Sequence, residues 1–202
     1  MNNTEAEKQR KGVMSVYDKM APTYDKLNND AQYQGEAILL EMYKKYGISA
    51  GKIFDIGCGT GKVKDLLGDS FTYEGVDLSP AMTHEAAKRG YTCHTGAVED
   101  VIKEIGDKSV DHVIALSCLY FIEDVETLIK ECERISRKSI FIILEHFGQE
   151  AKERMESAQV HVYNHPLSIV KDPTETKKDI FLWKRPSTGD IVNGNALFKL
   201  LE

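Results

Sequence analysis

Residues 53 to 61 read Ile53-Phe54-Asp55-Ile56-Gly57-Cys58-Gly59-Thr60-Gly61, a short apolar run carrying one acid and then three glycines at alternating positions. A strand buried on both faces is apolar throughout, and glycines directly after it permit positive φ and let a ligand approach bare backbone. The stretch therefore predicts a strand feeding a nucleotide-type loop. Spacing narrows the ligand. A dinucleotide loop needs Gly-x-Gly-x-x-Gly, and both registers fail because Lys62 and Lys64 stand where the third glycine belongs. A phosphate-cradling Gly-x-x-x-x-Gly-Lys-[Ser/Thr] loop fails as well, since Lys62 follows Gly61 but Ile56 and Val63 occupy the other key positions.

Working outward, strand-like and helix-like runs alternate. Val13, Val16, Tyr17 and Met20 keep a helical period that Pro22 ends, and a second helix is predicted from about Gln32 to Tyr46, with Gly47 as its stop. After the glycines come a helix through Val63 and Leu66, a strand from Phe71 to Val76 ending at Asp77, and a helix from Ser79-Pro80 to about Arg89. Tyr91 to His94 reads as a short strand, Val101 to Ile105 as a helical turn and Val110 to Leu116 as a buried strand. Val125, Leu128, Ile129, Cys132 and Ile135 mark the clearest helix, and Ser139 to Leu144 a further buried strand. Gln149 to Ala158 looks helical, 159 to 179 is irregular, and Ile180 to Lys184 with Ala196 to Leu201 predict a closing antiparallel hairpin. Such alternation predicts an α/β fold, a parallel sheet with helices on both faces.

Composition sets the class. The 202 residues fit one domain that buries about 70% of its unfolded surface. Hydrophobic content of 42% and charged content of 29% are ordinary for a globular chain. A net charge of −6 and a pI near 5.6 argue against nucleic acid as a partner, which would require a basic stripe. Cys58, Cys93, Cys118 and Cys132 form no Cys-x-x-Cys pair, so neither a metal site nor a disulfide framework is expected. The polar start and the lack of a long apolar run predict no membrane span and a cytoplasmic location.

Asp55-x-Gly57-x-Gly59-x-Gly61 resembles the first motif of class I S-adenosylmethionine-dependent methyltransferases of the small-molecule type. The charge supports this independently: S-adenosylmethionine carries an ammonium and a sulfonium, which an acid near the glycines attracts, whereas a phosphate would be repelled. The resemblance covers roughly residues 13 to 147. It implies a doubly wound, mostly parallel, seven-stranded sheet whose last strand is antiparallel. Within one domain it implies lid helices over 1 to 47, a cofactor-binding core over 52 to 147, and a substrate cap with the hairpin over 148 to 202.

The same resemblance assigns the site. Gly57, Cys58 and Gly59 cradle the methionine part of the cofactor, Asp55 organises the loop, and Asp77 accepts the ribose hydroxyls. Leu78 and Met82 are placed to sandwich adenine, although either side chain could equally be plain helix core. Gly96-Ala97-Val98-Glu99-Asp100 departs from the usual third motif, because Ala97 stands at the acid position, which leaves Val98 and Glu99 or Asp100 to line the adenine. Tyr17-Asp18-Lys19-Met20-Ala21-Pro22-Thr23-Tyr24-Asp25 is similar to the lid segment of small-molecule members, with Tyr17 and Tyr24 as apolar cover. Ser117-Cys118 follows the fourth strand without the histidine pair that many relatives carry. His146 after the fifth strand is the candidate general base; His161, Tyr163 and His165 lie in the variable cap, and His84 and His112 read as structural.

The expected activity is methyl transfer from S-adenosylmethionine to an O or N atom of a small molecule, with S-adenosylhomocysteine as product. Two alternatives stand beside it: a protein methyltransferase, and a binder of S-adenosylmethionine without transfer activity. Nothing in the sequence speaks to oligomeric state. No Asn-Pro-Pro-[Tyr/Phe/Trp] or Asp-Pro-Pro-Tyr follows the fourth strand, which argues against adenine in DNA as acceptor. An arsenic-type enzyme would need converging thiolates, and Cys58 and Cys132 belong to a loop and a helix core.

Overall fold

The structure, a computed structural model, describes residues 3–26, 30–147, 149–157, 160–163, 165, 178–184 and 191–201. Strand β1 (Gly51–Ile56) lies at the centre of the sheet, between β2 (Phe71–Asp77) and β4 (Val110–Ala115), both parallel to it. β3 (Thr92–Thr95) extends the sheet beyond β2, and β5 (Ser136–Phe147) extends it beyond β4. β7 (Ile191–Leu200) runs antiparallel to β5 and to β6 (Lys178–Lys184), giving the order β3-β2-β1-β4-β5-β7-β6. The expected α/β architecture is therefore met: a mostly parallel sheet with an antiparallel closing strand.

Alternate side chains of the central strand explain the two layers of helices. Phe54 and Ile56 pack with Val113, Ile140 and the apolar stripe of α6 (Val125–Ile135). Ile53, one residue out of phase, packs with Phe71, Tyr73 and Phe141 against α2 (Asp30–Lys45) through Leu39, Met42 and Tyr43. With Phe54, Ile53, Ile114 and Phe141 all at 0% exposure, both faces of the sheet are dry, which is why these strands read as continuous apolar runs. At roughly 1.5–3 kcal/mol for each fully buried large side chain, this double core supplies most of the force holding the loops above it.

Helix starts follow local chemistry. Ser79 accepts a hydrogen bond from the Met82 backbone N–H at 3.1 Å, and Pro80 opens α4 (Pro80–Lys88). Asp124 caps α6 in the same way through Thr127 N at 3.0 Å. α1 (Asn3–Met20) begins well before its apolar stripe, and Pro22 falls within a 3-10 segment, Ala21–Lys26. α3 (Val63–Leu67), α5 (Val98–Val101) and α7 (Gln149–Ser157) complete the helices.

Several element boundaries differ from the sequence reading, β7 among them, which begins at Ile191 rather than Ala196. β3 begins at Thr92, because Tyr91 still closes the end of α4, donating its N–H to Ala86 O at 3.2 Å, and stacks its ring on Tyr73. β5 begins at Ser136 rather than Ser139, since an irregularity between Val110 and His112 lets Ser136 pair with Val110. His112 is buried beside Tyr43 and Phe71, with Nδ1 2.8 Å from Ser139 Oγ, a packing role in keeping with its reading as structural.

Candidate active site

A cavity opens at the carboxyl ends of β1, β2 and β4, where ligands bind in an open α/β sheet. Gly57 and Gly59 form one wall, Asp77 and Leu78 a second, Val98 and Glu99 a third, and Ser117 sits beneath them after β4. Tyr17 from α1 and Tyr24 from the 3-10 segment close over it. Among the described residues, both charged residues in this lining, Asp77 and Glu99, are acidic.

The glycines are required by geometry. Gly57 has φ +65°, and a Cβ there would fall 2.5 Å from Cys118 Cβ, so the fourth strand's loop fills the space under it. Gly59 has φ +52°, and among the described residues the one atom its Cβ would meet is Tyr24 Cε1 at 3.9 Å. That glycine faces the cavity and leaves its backbone open to a ligand lying beneath the tyrosine.

Asp77 ties the walls together. Its Oδ2 accepts from Gly59 N at 3.0 Å and its Oδ1 from Ser79 N at 2.9 Å. Each carboxylate oxygen keeps a further lone pair for a ligand hydroxyl. Burial raises the Asp77 carboxyl above its ordinary range, against these two backbone hydrogen bonds. Asp55 does not line the cavity. It is 2% exposed below the loop, accepts a hydrogen bond from Tyr91 Oη at 2.9 Å, and burial pushes its pKa up to about 7.

Two other expected contacts lie elsewhere. Met82 is fully buried and absent from the cavity wall, leaving Leu78 alone there of the expected adenine pair. Cys58 is buried behind the loop, its Sγ where a Gly75 Cβ would fall. His146 belongs to β5 opposite Asn193, but its side chain lies outside the described residues.

Several lining residues carried no sequence signal. Val13, Leu116, Cys118, Phe121 and Ile122 are apolar or weakly polar positions that look like any core residue. Tyr17 meets Tyr24 at 6.1 Å and Phe121 edge-on at 5.9 Å between ring centroids. Burial raises the Tyr17 phenol well above its ordinary pKa, so it stays neutral. Cys118 Sγ donates to Ile56 O at 3.1 Å, and Ser117, at φ +54°, holds a buried Oγ with no hydrogen-bond partner among the described residues. A strained serine with an orphan hydroxyl at a cavity is the kind of outlier found at ligand sites. Arg10 was also not anticipated; it reaches from α1 to Asp100 at 2.9 Å and Glu99 at 3.7 Å. The segment after α7 packs nearby, with Tyr163 N donating to Tyr120 O at 2.8 Å and Gln9 exchanging two 2.7 Å hydrogen bonds with the His161 backbone. His165, by contrast, is buried with Nε2 3.2 Å from Leu119 O.

Residues 54–144 match the family described as methyltransferase domain. The chain resembles that family over this stretch, a little under half of its length. A candidate methyltransferase of Geobacillus sp. (strain WCH70) is 41% identical over 70 residues, which are 33% of this chain and 28% of that protein. The malonyl-[acyl-carrier protein] O-methyltransferase of Paenibacillus sp. (strain JDR-2) is 26% identical over 137 residues, 59% of this chain and 50% of that protein. The chain thus matches about half or less of the length of these two curated relatives. Among solved structures, magnesium protoporphyrin IX methyltransferase from Synechocystis PCC 6803, with bound S-adenosylhomocysteine, superposes with a TM-score of 0.63 at 16% identity, over 85% of this chain and 83% of that one. The likeness in fold to that structure thus extends beyond the 54–144 match.

Proposed function

We propose that this chain is an S-adenosylmethionine-dependent methyltransferase acting on an O or N atom of a small molecule. The observation that carries the proposal is the convergence of Gly59, Asp77 and Tyr24 on one cavity at the strand ends of the methyltransferase domain. An acidic lining and an open glycine backbone suit a cationic nucleoside and disfavour a phosphate. S-adenosylmethionine supplies a methyl group on a positively charged sulfur, and transfer to a nucleophile leaves neutral sulfur in S-adenosylhomocysteine.

The chain's own residues have three tasks. Gly57 and Gly59 receive the methionine part, while Asp77 accepts the ribose hydroxyls with Leu78 against the adenine. Tyr17, Tyr24 and Phe121 exclude water and present aromatic faces to positive charge. Holding acceptor and donor in line supplies most of the acceleration, since well-oriented partners gain roughly 7–11 kcal/mol. His146 is the residue we assign as general base, at the end of β5 next to this cavity's side of the sheet.

The acceptor reading draws on the names of relatives: one curated relative is named as an O-methyltransferase of a malonyl group on acyl-carrier protein, one solved neighbour as a methyltransferase of a porphyrin. The four described cysteines are free thiols, as a cytoplasmic setting would keep them. Calorimetric titration with S-adenosylmethionine, S-adenosylhomocysteine and NADH tests the cofactor. Micromolar binding of the first two, about −8 kcal/mol, without NADH binding is expected. Methyl transfer from labelled cofactor across a panel of small O- and N-nucleophiles then tests the activity; cofactor retention with no turnover on any acceptor would favour a binding protein.

A further inference from the structure

The tyrosines of the Tyr17-Asp18 to Tyr24-Asp25 segment line the cavity, while the aspartates beside them are bound to the core. Asp18 Oδ1 accepts from Ser79 Oγ at 2.5 Å and Ala81 N at 3.2 Å, at the start of α4. Asp25 Oδ1 accepts from Thr60 Oγ1 at 2.6 Å, within the glycine loop. Its other oxygen accepts from the Arg89 guanidinium. Arg89, directly after α4, also donates to the Thr60 carbonyl at 2.6 Å and lies 3.3 Å from Asp65 Oδ2 on α3. One guanidinium therefore ties together the lid, the glycine loop and α3. Its side chain and that of Asp25 are only 27% and 33% exposed, so solvent screens this contact less than a surface pair.

The position of the contact gives it a consequence. A ligand against Gly59 lies directly below Tyr24, whose ring sits 3.9 Å from where a Gly59 Cβ would be. Tyr24 and Asp25 are adjacent, so holding Asp25 at two points restrains the backbone that carries the ring. We propose that Arg89 is a positioning residue that latches the tyrosine lid to the glycine loop, and that release of Asp25 from Arg89 and Thr60 is the step through which cofactor enters and product leaves. The inference rests on the cofactor assignment above for what passes the lid; the latch itself rests on the hydrogen bonds. A lysine is a poor substitute, because a point charge cannot serve a carboxylate and a carbonyl in the fixed fork that guanidinium provides.

The test measures release of tritiated S-adenosylhomocysteine after chase, and backbone hydrogen exchange of residues 17–26, in the full chain and in Arg89→Ala, Arg89→Lys and Asp25→Asn. Arg89→Ala is expected to release product at least tenfold faster and to exchange faster in the lid, with β4 exchange unchanged; Arg89→Lys is expected to fall between it and the parent. Raising the ionic strength is expected to speed release from the parent and to leave Arg89→Ala unaffected. Unchanged release and lid exchange in a folded Arg89→Ala would overturn the latch. Should that variant not fold, Asp25→Asn, which keeps shape and removes the charge, decides by the same two readouts. Lack of ligand binding by the parent would remove the cofactor reading, and lid exchange, which needs no ligand, would still decide the latch.

Discussion

Gly59 donates its backbone N–H to Asp77 Oδ2 at 3.0 Å, which joins the glycine loop after β1 to the acidic end of β2. The carboxylate therefore both shapes the loop and lines the cavity. Asp77→Ala is expected to weaken S-adenosylmethionine binding by roughly 1.5–3 kcal/mol, the worth of hydrogen bonds to a charged group. Calorimetry reads this directly, and unchanged affinity would sink the ribose assignment.

Gly59→Val should abolish cofactor binding in a protein that still folds. A β-branched side chain at φ +52° is strained, and its bulk would enter the cavity toward Tyr24. Circular dichroism confirms the fold while titration reports binding; a variant that binds like the parent refutes the loop geometry.

Asp55 gives the protein a pH dependence with a definite sign. Its carboxyl, raised to about 7 by burial, keeps its proton in the folded state across a range where the unfolded chain has lost it. Stability without ligand therefore falls as pH rises from about 4 to about 7 and is flat above that, by an amount on the order of 2 kcal/mol or more between pH 5 and 8. Asp55→Asn should remove this slope in urea unfolding at the two pH values. Asp111, held down at about 2 chiefly by the Lys52 N–H and Lys138 against the cost of burial, acts with opposite sign and only in acid. A parent and variant with equal slopes would contradict the assignment.

His146→Gln is expected to lower kcat by about 10²-fold or more, the usual contribution of a general base, with cofactor affinity unchanged. A kcat within a factor of two of the parent, on an acceptor that the screen identifies, would mean that orientation alone carries the reaction and that His146 has no chemical part.

Much of this was legible because buried parallel strands and phosphate-free glycine loops leave short, local signatures. The run Ile53 to Gly61 declares a two-sided strand and a loop of positive φ, and Asp77 ends the next strand where a ligand-facing acid belongs. The spacing of Val125, Leu128, Cys132 and Ile135 likewise marks a face that must be buried. These depend on neighbours within one turn or one pleat.

Contacts between distant segments left no such trace. Nothing local separates Leu78, which lines the cavity, from Met82, which does not, because Leu78 lies in the turn before the Ser79 cap while Met82 is buried in the first turn of α4. Val13, Cys118 and Phe121 became site residues only when α1 and the loop after β4 met over the sheet. The same holds for Arg89 and Asp25, 64 residues apart in sequence, whose pairing depends on where α4 ends relative to the lid. The sequence by itself determined the strand, the glycine loop and the acid that ends the next strand, since the backbone conformation and apolar pattern of a short segment are set by its own residues. Tertiary structure alone decided which side chains line the cavity and what ties Asp25 to the glycine loop, since those are distances between segments that only the packed sheet brings together.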